Sequence, residues 1–359
     1  MHRPTVLAAV LLTACATPAL PPTPSEPLAP DAIEPAVRMD TDAERIVVEL
    51  GPFDVPAMEM GHAHETSGMA HGSTSPLMPL EWPVDGWLQG FQVRLLDRNG
   101  HPVPRDVLHH LIGVNFDRRQ LVYPVPERFM GIGTETEDVQ LPESLAVPME
   151  RGQRLGLYAS WHNDTGEDLD GLFIQVTMDI APEPRASNVR AVLPVYFDTN
   201  NEIGGSNAFD LAPGPTTRAW EFTVPVDGEL LAASGHLHDY GRWVRIEDAE
   251  TGEPLFTLDA ELDEGGHIHS VEQRLFRKWL GLRPDPVRLE AGHRYRVVGH
   301  YESPLDSTLV QGAMAHVVGV FAPDDLEAWP ELERGSTSVE QDLAALPPPL
   351  EQRGPTLRR

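Results

Sequence analysis

The chain has 359 residues, and its 55 acidic side chains against 27 Lys plus Arg give a formal net charge of −28. Such a surface repels nucleic acid and anionic lipid headgroups, which excludes polyanion binding, and the length exceeds one ordinary core and fits two domains with tails. Its 30 glycines and 35 prolines are scattered without period, which suits short strands between turns, so composition predicts an all-β fold.

Residues 1–14, MHRPTVLAAVLLTA, carry one basic residue, Arg3, then an apolar run and small residues: an export signal, too short to span a membrane. The tetrapeptide Leu12-Thr13-Ala14-Cys15 resembles a bacterial lipobox, in which the cysteine is acylated and becomes the first mature residue. Cys15 is the only cysteine and has no disulfide partner in the chain. The resemblance implies a lipid anchor at Cys15. With Ala16 following, it implies the outer membrane of the bacterial cell envelope, facing the periplasm or the surface. Residues 15–44 are rich in proline and small or acidic residues and are expected to form a semi-rigid tether.

Short β-prone runs then alternate with turn residues: IVVEL, FQVRLL, LIGVNF, LGLYASW and LFIQVTM, followed after APEPRAS (181–187) by AVLPVYF, AWEFTV, WVRIE, RYRVVGHY and HVVGVF. DRNG at 97–100 and ETG at 250–252 read as hairpin turns. Residues 270–281 could form a short helix. The two prolines of APEPRAS mark a domain boundary, giving β-sandwiches over 45–182 and 187–323. The polar, proline-rich stretch 324–359 is expected to be a flexible tail. No Gly-rich phosphate loop or nucleophile elbow is present, and no thiol remains for catalysis once Cys15 is acylated.

Chemistry concentrates in the 15 histidines. His109 and His110 lie inside the aliphatic run VLHHLI. A regular strand sends adjacent side chains to opposite faces, so the pair alone reads as one buried and one exposed ring. In GHLH, His236 and His238 have the i, i+2 spacing that puts both imidazoles on one strand face, close enough to share an ion; two surface histidines would read the same way. Met314 opens the last strand, where a methionine taken singly is core. His267 and His269 form a second HxH flanked by glycines, read as loop surface, and His300 lies in VVGHYES. The stretch 58–78, with Met58, Met60, His62, His64, Met69 and His71, is either a copper-capturing segment or an ordinary loop.

Taken together, HH, His162 in YASWHND, HxH, and Met314 at the end of "Y.SPLDST..QGAM" resemble the copper type II ascorbate-dependent monooxygenases, the group of the peptidylglycine and dopamine hydroxylases. The resemblance spans roughly residues 45–323 and implies two tandem jelly-roll-type β-sandwich domains. It implies two copper ions: His109, His110 and His162 on an electron-receiving copper, and His236, His238 and Met314 on the oxygen-activating copper, with ascorbate or another reductant as co-substrate. The thioether would favour Cu(I). Ser234 stands where peptide-hydroxylating members have a carboxylate-binding arginine, and His316 and Val318 replace their polar contacts, so the substrate, small molecule or peptide, is left open. The expected activity is hydroxylation of a C–H bond. The competing expectation is a non-catalytic copper-handling lipoprotein of the envelope.

Overall fold

A computed structural model describes residues 36–41, 44–57, 73–133, 138–181, 189–276 and 286–350. Cys15, the Met/His-rich residues 58–71 and the boundary residues 182–188 lie outside the described residues.

Alternation builds the strands. In Arg45–Val55, Ile46, Val48 and Leu50 are buried while Arg45, Val47 and Glu49 between them are only partly so, the period-two pattern of a strand with one face on a core. This strand lies between Ala36–Thr41 and Leu169–Ala181. The sheet continues through Gly86–Leu96 and Leu145–Met149 to Arg190–Ala191. A second sheet orders Met78–Glu81, Arg154–Trp161, Leu108–Arg119 and Pro126–Gly133. Val48, Val93 and Val176 from one sheet meet Leu111, Leu157 and Trp161 from the other in the first core.

The second core is built in the same way. One sheet runs Leu193–Asp198, Ala315–Pro323, Gly228–Leu237 and Gln273–Leu275. The other runs Gly214–Thr223, Arg294–Ser303, Gly241–Asp248, Pro254–Leu262 and Ile268–Val271. Phe197, Leu230, Val317 and Phe321 pack against Phe222, Val244, Ile246 and Tyr301. The fold is all-β, as composition predicts, with two sandwich cores.

Three boundaries differ from expectation. Residues 36–41, read as tether, form a strand because their backbone pairs antiparallel with Arg45–Val55, with Ala36 opposite Gly51 and Thr41 opposite Ile46. Residues 270–275, read as the start of a helix, belong to strands Ile268–Val271 and Gln273–Leu275. The tail read as flexible is folded as far as Leu350. Ser336 caps helix Thr337–Ala345, accepting a bond from the Val339 N–H, and Asp342 on that helix pairs with Arg128 through two bonds of 2.7 and 2.8 Å. Leu77 donates to the Pro348 carbonyl and Leu350 to that of Leu77, fastening the tail to the first unit.

The two units meet closely. Leu121, from the loop after Leu108–Arg119, is buried in the second core, and the neighbouring Tyr123 hydroxyl accepts a 2.8 Å bond from the Asp198 N–H. Trp329, beyond the last strand, packs on Phe321 and donates its indole N–H to the Arg119 carbonyl at 2.9 Å.

Candidate metal centre

The HH pair owes its geometry to an irregularity in pairing. Strand Leu108–Arg119 pairs His110 with Ser160 and Leu108 with Trp161, so two residues are spent on the histidine strand for one on its partner. His109 is the extra residue. A bulge of this kind turns the added side chain toward the side of its neighbour, and the His109 and His110 ring centroids lie 4.0 Å apart. His162 follows the partner strand, its N–H bonded to the Val107 carbonyl at 2.9 Å, which brings its ring to 6.3 Å from that of His109. The three domain-one histidines are therefore grouped.

In the second unit, alternation along Ala315–Pro323 buries Ala315 and Val317 in the core and leaves His316 and Val318 on the opposite side. His236 on Gly228–Leu237 is paired directly with His316, and their rings stack 4.6 Å apart at 20°. His238 lies 5.3 Å from His236 by centroid. Continuing this register by two residues sets Met314, just before the last strand, opposite His238. Gly235 is required beside His236, since a Cβ there would sit 2.5 Å from a Val271 methyl carbon and 2.9 Å from one of Val244.

The link between HxH and Met314 is Tyr301, to which the sequence pattern assigns no role. The fully buried Tyr301 hydroxyl donates to the Met314 carbonyl and accepts the N–H groups of His238 at 3.1 Å and Met314 at 3.2 Å. Burial pushes its pKa up, so the hydroxyl keeps its proton. The signal existed: in RYRVVGHY the inward positions are Tyr295, Val297, Gly299 and Tyr301, and His300 is their outward neighbour. His300 instead bonds Thr217 at 3.0 Å and stacks on Trp243, on the other sheet of the sandwich. His267 is bonded at 2.8 Å to Asp239, the residue after His238, and this pairing raises the imidazole pKa. His267 thus lies on a loop, as expected, but beside HxH, and His269 is exposed on strand Ile268–Val271.

The two sets are contiguous. His110 approaches His236 to 5.5 Å across the boundary between units, closer than His109 is to His162 and near the 5.3 Å between His236 and His238. Behind His316 lies the buried Asp198, whose Oδ2 is 3.7 Å from His316 Nδ1. Burial pushes this carboxyl up to about 7, against the Asn200 N–H and the nearby His236 imidazole, which pull it down.

Copper suits this donor set. Imidazole is a ligand for both oxidation states, and thioether sulfur is soft. With nitrogens about 2 Å from an ion, rings sharing that ion have centroids roughly 5 Å apart, and the observed separations of 4.0 to 6.3 Å bracket this. The rings are grouped without their nitrogens being gathered: among the described residues, no three His, Cys, Asp or Glu side chains converge on one point.

No family model and no curated protein matches the chain. Among solved structures, the major capsid protein P2 of bacteriophage PM2 is 10% identical, covering 77% of this chain and 99% of its own, with a TM-score of 0.33. PNGF-II is 12% identical over 76% of this chain and 65% of its own, at 0.31. The β-porphyranase BpGH86A from the human gut bacterium Bacteroides plebeius is 9% identical over 80% and 37%, at 0.20. Likenesses this weak carry no argument about function.

Proposed function

We propose that the chain is a copper-dependent monooxygenase that hydroxylates a C–H bond with O2 and a one-electron reductant such as ascorbate. His109, His110 and His162 would hold one ion; His236, His238 and Met314 would hold the other. The observation that carries the reading is the bulge at His109, which forfeits a regular strand pairing to bring two adjacent imidazoles together at the boundary facing HxH. Copper, when bound, supplies one-electron redox chemistry and reaction with O2. One oxygen atom enters the substrate and the other leaves as water, which consumes two electrons and two protons.

The chain's own contribution is positional. Tyr301 holds the backbone of His238 to that of Met314, so the two ligand segments move together. Ser234 pairs with Val318 two residues from the His236–His316 pair, so a neutral side chain stands where the resemblance would put a guanidinium. This supports an uncharged substrate group rather than a carboxylate. The acyl anchor at Cys15 and an envelope location belong to the same proposal.

A second reading, a non-catalytic copper-handling lipoprotein, is favoured by the His110–His236 contact, which fills the space a substrate would need between the sets. Copper stoichiometry combined with reductant-dependent O2 consumption separates the two. Two bound coppers with turnover support the enzyme; two coppers that never consume O2 in a broad substrate screen support the binding protein; no copper sinks both. Met314→Ala should remove a sulfur scatterer from the X-ray absorption spectrum of the Cu(I) form with near-native melting. An unchanged spectrum with a loss of about 2–5 kcal/mol would return Met314 to a core role.

A further inference from the structure

We propose that His316 is an additional copper donor in the second domain, oriented by the buried carboxylate of Asp198; this rests on the copper reading above and deepens it. Three adjacent antiparallel strands carry one cross-strand row: Asp198 is paired with His316, and His316 with His236. Directly opposed residues share a face, so the row points a carboxylate, an imidazole and a second imidazole to the same side.

Asp198 is fully buried, and burying a carboxylate is unfavourable unless it serves specific partners. One oxygen accepts the Asn200 N–H at 2.8 Å; the other faces His316 Nδ1 at 3.7 Å. That distance exceeds a hydrogen bond, but the neutral tautomer with its proton on Nδ1 would aim that N–H at the carboxylate. With Nδ1 turned to the carboxylate, Nε2 on the opposite edge of the ring is the donor. A carboxylate behind an imidazole whose other nitrogen binds a metal is a recurrent arrangement, in which the acid fixes the tautomer and strengthens the ligand. The His236 and His316 rings now stack at 20°, and a common ion requires the His236 ring to turn about χ2, a soft torsion in histidine, while His316 keeps Nδ1 toward Asp198. The second centre would then draw on His236, His238, His316 and Met314, richer in nitrogen than HxH plus Met.

The test uses the full chain, titrated with Cu(II) sulfate in air and with Cu(I) under anaerobic reductant, and read by equilibrium affinity, electron paramagnetic resonance and X-ray absorption. His316→Ala should remove one imidazole's worth of scattering and weaken one copper by at least tenfold. Asp198→Asn, which keeps the shape and the Asn200 bond but loses the charge, should weaken the same copper by about 10- to 100-fold. His101→Ala, whose parent side chain is largely exposed at a hairpin turn, should match the wild type. Should His316→Ala fail to fold, His316→Gln and Asp198→Asn carry the comparison. Wild-type copper binding with spectra and affinities unchanged in the His316 and Asp198 variants overturns this inference and leaves the copper reading standing. A wild type that binds no copper overturns both.

Discussion

Tyr301 satisfies three backbone groups with one hydroxyl, and all three belong to segments that would hold metal. Replacing it with Phe keeps the packed ring and strands the N–H groups of His238 and Met314. We expect Tyr301→Phe to cost about 1–3 kcal/mol in urea unfolding, the penalty for buried donors left unpaired, and to broaden the copper signal of the second centre. An unchanged unfolding midpoint together with an unchanged signal would refute the clamp. A different single residue governs part of the acid response. Asp248 is drawn from 3.8 down to about 2 by the Thr251 N–H, joined by the His293 ring at 2.6 Å and the Glu250 N–H. Its folded pKa lies below its unfolded one, so its contribution is complete above about pH 4 and is lost as pH falls toward 2. Asp248→Asn should therefore be less stable than the wild type near neutrality, with the gap closing across that window. Unfolding curves at a series of pH values check it, and a gap independent of pH between 5 and 2 would contradict the assignment.

At the scale of elements, the strand carrying HH and the helix in the tail illustrate opposite degrees of local legibility. The strands could be read from alternation, since Ile46, Val48 and Leu50, or Ala315 and Val317, recur at period two. Helix Thr337–Ala345 has a good N-cap in Ser336, yet at nine residues it is too short to be stable alone and owes its place to the Arg128–Asp342 pair. Asp342→Ala leaves the half-buried Arg128 guanidinium without its carboxylate. We expect a loss near 3 kcal/mol, the low end for breaking a buried pair, and faster protease cleavage within residues 337–345. Cleavage at wild-type rates would mean that the Leu77–Leu350 backbone contacts hold the tail unaided.

Over the whole molecule, two cores are joined by side chains that cross the boundary: Leu121 into the second core, Tyr123 onto Asp198, and Trp329 back onto Arg119. This interlock sets the distance between the histidine sets and so whether any ions held there would be insulated or adjacent. At the same scale, Cys15→Ser should shift the protein from the membrane pellet to the soluble fraction. A single acylated cysteine is the proposed anchor, and among the described residues no helix is long and apolar enough to cross a membrane. Wild-type protein already soluble with an unmodified Cys15 would remove that claim.

The sequence by itself determined the all-β class and most strand positions, and it placed histidines at a spacing that brings rings to one face, because alternation, turn residues and HxH spacing are local and periodic. His236 and His238 share a face for that reason alone. Tertiary structure decided the rest. The bulge that makes HH a pair exists only because Trp161 and Ser160 lie opposite it in a strand about 50 residues away. Asp198 and His316 are neighbours only through strand pairing, and His110 reaches His236 only because Leu121 and Tyr123 lock the two sandwiches together. Contacts between distant segments leave no period in the chain, so the composition of the site could be read from the sequence while its arrangement could not.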